Sequence, residues 1–170
     1  HLSRSGGGQG LIEIVHPDMP FLLASVSMAL AGRGIEVSRG AHPVMKVRRD
    51  AKGQLKGIGI GYPLGESWMQ FVLKTLPENG QQEELTQRLA SVLAKVREVT
   101  GDWYAMRQKV FACAGRQNAP EAKTFLEWIE GGHFTLMGHG RFSVRKGRLV
   151  PSGKGLGLLA RSMAELGDAR

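Results

Sequence analysis

Acidic residues are scarce in this chain: 15 aspartates and glutamates stand against 23 lysines and arginines, a formal net charge of +8 over 170 residues. That surplus makes acidic partners worth testing. Cysteine is almost absent. A single Cys113 excludes an internal disulfide framework and fits a reducing, cytoplasmic compartment. No apolar run approaches the roughly 18 to 20 residues of a membrane-crossing helix. The polar, glycine-rich opening His1–Gly10 lacks a secretory pattern. It reads as a flexible segment, either a cloning remnant or an interdomain stretch. Aromatics amount to 6% of residues, and the rest is ordinary for a globular protein, with 42% apolar and 22% charged residues. The length suffices for one good core or two small ones.

The most organised stretch runs from His16 to Val37. Leu11–Val15 reads as a strand, and Asp18 stands where a helix N-cap belongs, with Pro20 in the first turn. Leu22, Leu23, Val26, Ala29 and Leu30 follow the three-and-four spacing of one buried helix face. Gly32 and Gly34 bracket its end, and Ile35–Val37 restarts as a strand. Strand, turn, helix, glycine and strand form half of a ferredoxin-like unit.

Beyond it, a strand to about Arg49 places Met45 and Val47 on one side and Lys46 and Arg48 on the other. Gly53–Gly65, with five glycines, reads as an irregular connection, and Ser67–Leu76 as a strand. Leu85, Leu89, Val92, Leu93 and Val96 predict a helix ending near Thr100–Gly101, followed by separate helices over Asp102–Ala114 and Glu121–Glu130. His133–Val144 completes the order as the last strand. The expected fold is α+β, a ferredoxin-like βαββαβ sandwich with extra helices (about 102–131) inserted before that strand. Residues 1–10 are the flexible segment, 11–146 the domain and 147–170 a glycine-rich connection and tail.

Several separated stretches resemble a known family: E-I-V-H-P-D-M-P-F-L-L-A-S-V, H-P-V-M-K-V-R-R-D, E-S-W-M and F-L-E-W-I-E-G-G-H-F-T-L-M-G, all between Leu11 and Leu159. The first resembles the opening half of ACT domains, which regulate enzymes of amino-acid metabolism. Together, in this order, they are similar to the N-terminal region of the large bacterial NAD-dependent glutamate dehydrogenases. The resemblance implies a regulatory or assembly fragment of an oligomeric oxidoreductase that converts L-glutamate and NAD to 2-oxoglutarate and ammonium. It also implies that NAD and the catalytic groups belong to a downstream part, so that the fragment carries no cofactor and docks on other domains and subunits. In ACT domains an amino-acid effector commonly sits at the turn before the first helix, here Asp18, Met19, Pro20, Phe21 and Leu22. Free N–H groups and the helix dipole favour a carboxylate there. Many ligand-binding members have glycine where this chain has Phe21, so the alternative is that Phe21 fills the core and closes the pocket.

No other constellation carries chemistry. Gly153, Gly155 and Gly157 lack the spacing of a dinucleotide loop and read as a flexible turn. The histidines and Cys113 show no metal-ligand spacing, and no nucleophile elbow or Cys–His signature is visible. Six of the basic residues fall in Arg39–Lys56 and five in Arg141–Lys154, a window without acids. These place Lys46, Arg48, Arg141 and Arg145 on the two expected sheet edges as a basic docking surface. The alternative is an RNA-binding module of the same fold, but G-H-G-R-F-S-V lacks the aromatic platform that base stacking requires.

Overall fold

The computed structural model describes residues 1–5 and 8–168. Two units are compact in themselves, His1–Val96 and Arg97–Arg170. The expected domain limits of 11 and 146 therefore differ from the first unit at both ends.

The first unit contains strands Leu2–Arg4 (β1) and Gly10–Pro17 (β2), helix Leu22–Ala31 (α1), and strands Val37–Ala41 (β3), Val44–Arg49 (β4), Leu55–Ile58 (β5) and Leu64–Leu73 (β6). It closes with the first part of helix Asn79–Ala114 (α2). All strand pairs are antiparallel, in the order β1-β2-β6-β4-β5, with β3 also paired to β6. β6 is the hub. On one side it pairs with all of β2, from Gly10↔Leu73 to Pro17↔Glu66, and on the other with β3 and β4.

The pleat puts Ile12, Met69, Phe71 and Leu73 on one face, where Leu22, Val26, Ala29 and Leu30 of α1 and Leu85 and Leu89 of α2 cover them. Each large aliphatic fully buried there contributes roughly 1.5 to 3 kcal/mol. α1 ends as a Schellman motif: Ile35 N–H donates to the Leu30 carbonyl and Gly34 N–H to that of Ala31. Gly34 takes the left-handed φ of 67° that this motif requires.

Three expectations need correction here. The N-terminal stretch contains a strand: Leu2 lies opposite Ile12 and packs against the core, so β1 occupies the sheet edge expected for a strand after the second helix. A single apolar residue among glycines carries too weak a pattern to announce this. The irregular Gly53–Gly65 connection contains β5, paired with β4. α1 begins at Leu22 rather than Met19, and Leu23 is exposed instead of buried.

In the second unit α2 continues without a break through Gly101, where a separate helix was expected. Helix Pro120–Trp128 (α3) runs into a π-helical turn, Ile129–His133, ending at a left-handed Gly132. His133–Val144 is not one strand. Gly138–His139 (β7) pairs with Leu156–Gly157 (β10), and Phe142–Arg145 (β8) pairs with Arg148–Pro151 (β9). Neither pair joins the six-stranded sheet. Helix Leu159–Asp168 (α4) closes the described chain.

The glycine run at 153–157 is not merely a flexible turn. A Cβ at Gly155 would stand 2.3 Å from the Leu159 carbonyl oxygen and 2.9 Å from the Met163 side chain. Gly157 N–H donates to the Asp102 carboxylate at 2.7 Å, and Leu158 N–H to the Met137 carbonyl. Glycine is required here by close approach.

Gly101 has open space where a Cβ would stand. Gly101→Ala should therefore raise stability by about 1 kcal/mol through helix propensity, whereas Gly155→Ala should lower it by about 1 to 3 kcal/mol through overpacking. Denaturant unfolding of the two variants measures both. Destabilisation by Gly101→Ala would indicate a helix break at that point.

Candidate functional site

Three polar or charged residues are buried among the described residues, and all lie at one end of the β2–β6 ladder: His16 opposite Ser67, and Glu66 opposite Pro17. This end adjoins the loop 18–21 that leads into α1. Buried polar groups persist only where hydrogen bonds satisfy them, and each has a partner. Ser67 Oγ donates to Asp18 Oδ1 at 2.6 Å, and His16 Nδ1 to the Pro17 carbonyl at 2.8 Å. Glu66 accepts from Arg49 Nε at 2.5 Å and Nη2 at 2.8 Å, and from Trp68 Nε1 at 3.0 Å. Arg49 also donates through Nη1 to the Gly53 carbonyl at 2.8 Å, so one guanidinium ties β4, β6 and the turn after β4 together. The Arg49 guanidinium holds the Glu66 carboxyl below its ordinary value, Trp68 assists, and burial opposes both.

Asp18 is not the N-cap. Its carboxylate is engaged by Ser67, and its N–H donates to the Gly65 carbonyl at 2.9 Å. The N-cap is Phe21, which has no side-chain hydrogen bond to the helix and whose carbonyl accepts the first helical bond, from Ser25. Pro20 consequently precedes the helix. Among the five loop residues expected to meet an effector, Leu22 is 1% exposed and Met19 packs against the core, while Asp18, Pro20 and Phe21 face outward.

Phe21 is also not a core filler. It is 49% exposed and sits at φ 70°, ψ 0°, a left-handed conformation that bulky side chains rarely adopt. The tethers of Asp18 to Gly65 and Ser67 on one side and the buried Leu22 on the other leave the chain to turn at this residue.

The basic residues separate into two groups. Lys46 and Arg48 project from β4, with the Arg48 guanidinium 5.6 Å from the centre of the Tyr62 ring. β4 is not an edge strand, because β5 covers it. Arg141 and Arg145 belong to the second unit, before and within β8, so the two expected basic edges of one sheet do not exist.

A model of the glutamate dehydrogenase ACT1 domain matches residues 5–89, which lie within the first unit. The chain belongs to the glutamate dehydrogenase ACT1 family. Beyond the ACT1 segment the likeness continues. The NAD-specific glutamate dehydrogenase of Pseudomonas aeruginosa is 33% identical over 78% of this chain, and that of Mycobacterium tuberculosis 29% identical over 87%. The corresponding enzyme of Halomonas elongata is 28% identical over 79%. The chain spans only 9% to 10% of the length of these relatives. None of this supports the RNA-binding alternative. Among the described residues no helix is long and apolar enough to cross a membrane.

Signals for the buried polar end of the ACT1 unit were weak. Glu66 sits in E-S-W-M, where it resembles any exposed strand carboxylate, and Arg49 is one of six cations in its window. Only tertiary register brings them together.

Two outcomes follow. Phe21→Gly should stabilise the protein, by up to about 1 kcal/mol, because it relieves the left-handed strain at the cost of little buried area. A lower denaturation midpoint would show that Phe21 packs after all. Glu66 has a lowered folded-state pKa, so its stabilisation is complete above its unfolded value and is lost as pH falls through the folded one. The acid limb of the melting-temperature profile should therefore flatten in Glu66→Gln, with a lower melting temperature at neutral pH as Arg49 loses its counter-charge. An acid limb of unchanged steepness would show that other carboxylates control it.

Proposed function

We propose that this chain is a non-catalytic regulatory and assembly domain from the N-terminal region of a cytoplasmic NAD-dependent glutamate dehydrogenase. In this reading the parent enzyme oxidises L-glutamate to 2-oxoglutarate and ammonium, and NAD is held by a part outside the 170 residues. The domain serves chiefly by docking on another part of the same polypeptide or on a neighbouring subunit.

The observation that carries this reading is the outer side of β3. All five of its residues are exposed, and it is paired on one side, to β6. Beside it lies a groove of about 460 Å³ lined by Leu23, Ile35, Val37, Phe71 and the half-buried His42. An open strand edge next to an apolar groove is a surface that proteins ordinarily cover. Relatives some ten times longer supply ample chain to cover it.

A second reading, amino-acid sensing, is favoured by one specific observation. The first turn of α1 has no side-chain cap and no acidic residue, and Asp18 is engaged elsewhere. An effector carboxylate at Asp18–Leu22 would satisfy those N–H groups. Calorimetry with the amino acids separates the two readings, since docking alone predicts no heat of binding.

The isolated chain should show no glutamate-dependent reduction of NAD, and turnover that survives repurification would overturn the non-catalytic assignment. Val37→Lys, on the open edge, should weaken association with the remainder of the parent polypeptide by about tenfold while leaving the melting temperature of the chain unchanged. Undiminished association would remove β3 from the docking surface.

A further inference from the structure

The second unit contains a cleft of about 720 Å³ with an unusual lining: Lys109 from α2, Arg116 from the turn after it, His139 from β7, Arg141 and Phe142 at β8, and Lys154. No carboxylate lines it. Among the described residues none of its four cations takes part in an ion pair, whereas Arg107 in the same unit pairs with Glu130. Four unneutralised cations around one concavity repel one another, and a counter-charge inside would remove that repulsion.

Both arginines are positioned by the same device. Arg141 Nε donates to the Ser152 carbonyl at 3.1 Å, and Arg116 Nε to the Ala112 carbonyl at 2.9 Å. Anchoring through Nε fixes the plane of each guanidinium and leaves its terminal nitrogens available, the fork that grips oxyanions in pairs. Gly153 has φ 90°, and a Cβ there would stand 3.4 Å from the Arg141 Nη2 atom. His139 adds a buried Nδ1 with no hydrogen-bond partner. Burial, then Lys109 and Arg141, lowers the His139 pKa, so the ring is neutral and retains both a donor and an acceptor.

We propose that this cleft binds a small polyanion bearing two or more clustered oxyanion groups, phosphoryl or carboxylate. Its volume falls within the range of small-molecule pockets, about 300 to 1,000 Å³, and far exceeds a single inorganic ion. It is an open concavity formed by residues of one unit, and the aromatics needed to stack successive bases are missing apart from Phe142. The site lies outside the segment matched by the ACT1 domain and takes no residue from β3.

Isothermal titration of the whole chain with tripolyphosphate and with citrate, at constant ionic strength, tests this. Binding of either supports the proposal, and the comparison identifies the oxyanion chemistry. Arg116→Gln combined with Lys154→Gln should weaken binding at least about tenfold. Lys46→Gln combined with Arg48→Gln removes the same charge from the first unit and should change it less than about twofold. As a readout that needs no variant, the imidazole titration of His139 should move upward when tripolyphosphate is added. Absence of binding by both anions would overturn the proposal. So would equal losses in the two double variants, or an oligonucleotide that binds more tightly than tripolyphosphate and is indifferent to Arg116 and Lys154.

Discussion

The pairing of β2 with β6 carries the rest of the first unit. Eight consecutive residue pairs, from Gly10↔Leu73 to Pro17↔Glu66, set Ile12 against Phe71 on the helix side. They also set His16 against Ser67 at the end where the chain leaves for α1. A slip of one residue would turn Ile12, Met69 and Phe71 to the open face and strand the buried polar groups without partners. The same register puts Ser67 within reach of Asp18 and Glu66 within reach of Arg49, so core and loop geometry share one determinant. Because the ladder occupies both central strands, α1 and the first part of α2 have a continuous apolar surface to cover.

From that constraint the loop follows. Asp18 is held twice to β6, through its N–H and its carboxylate. Leu22, four residues on, is buried in the core. The intervening residues must reverse direction within that span, and Phe21 takes the left-handed conformation that closes the turn. Its side chain is thereby directed outward rather than into the space beneath the helix. The loop is thus ordered by bonds to the sheet and not by a helix cap, which leaves the first turn of α1 without a side-chain partner.

Much of this was legible in the sequence where local pattern and tertiary role agree. The apolar spacing of Leu22, Val26, Ala29 and Leu30 and the alternation of Met69, Phe71 and Leu73 report burial directly, and the Gly34 stop reports the left-handed turn that ends α1. The family resemblance was legible for a similar reason, since its first three motifs lie on β2, α1, β4 and β6, and the fourth runs from α3 to β7. What escaped depended on contacts distant in sequence. Leu2 forms a strand because Ile12 accepts it, not because its neighbours favour one. Gly101 stays helical although its propensity argues for a break. The alternative that placed Phe21 in the core fails because a phenylalanine opening an apolar helix reads as core, and only the tethers around it show otherwise. At the Gly153–Gly157 run, composition announced flexibility where the cause is close packing against Leu159 and Met137.

The central claim is that β3 and its groove form the face through which this ACT1 domain joins a larger enzyme. Hydrogen exchange measured in parallel on the isolated chain and on the complete parent polypeptide addresses it most directly. The account predicts that amides of Val37–Ala41 exchange quickly in the isolated chain and become strongly protected in the complete protein, while the β2–β6 ladder is protected in both. Equal exchange of β3 in the two samples would contradict it.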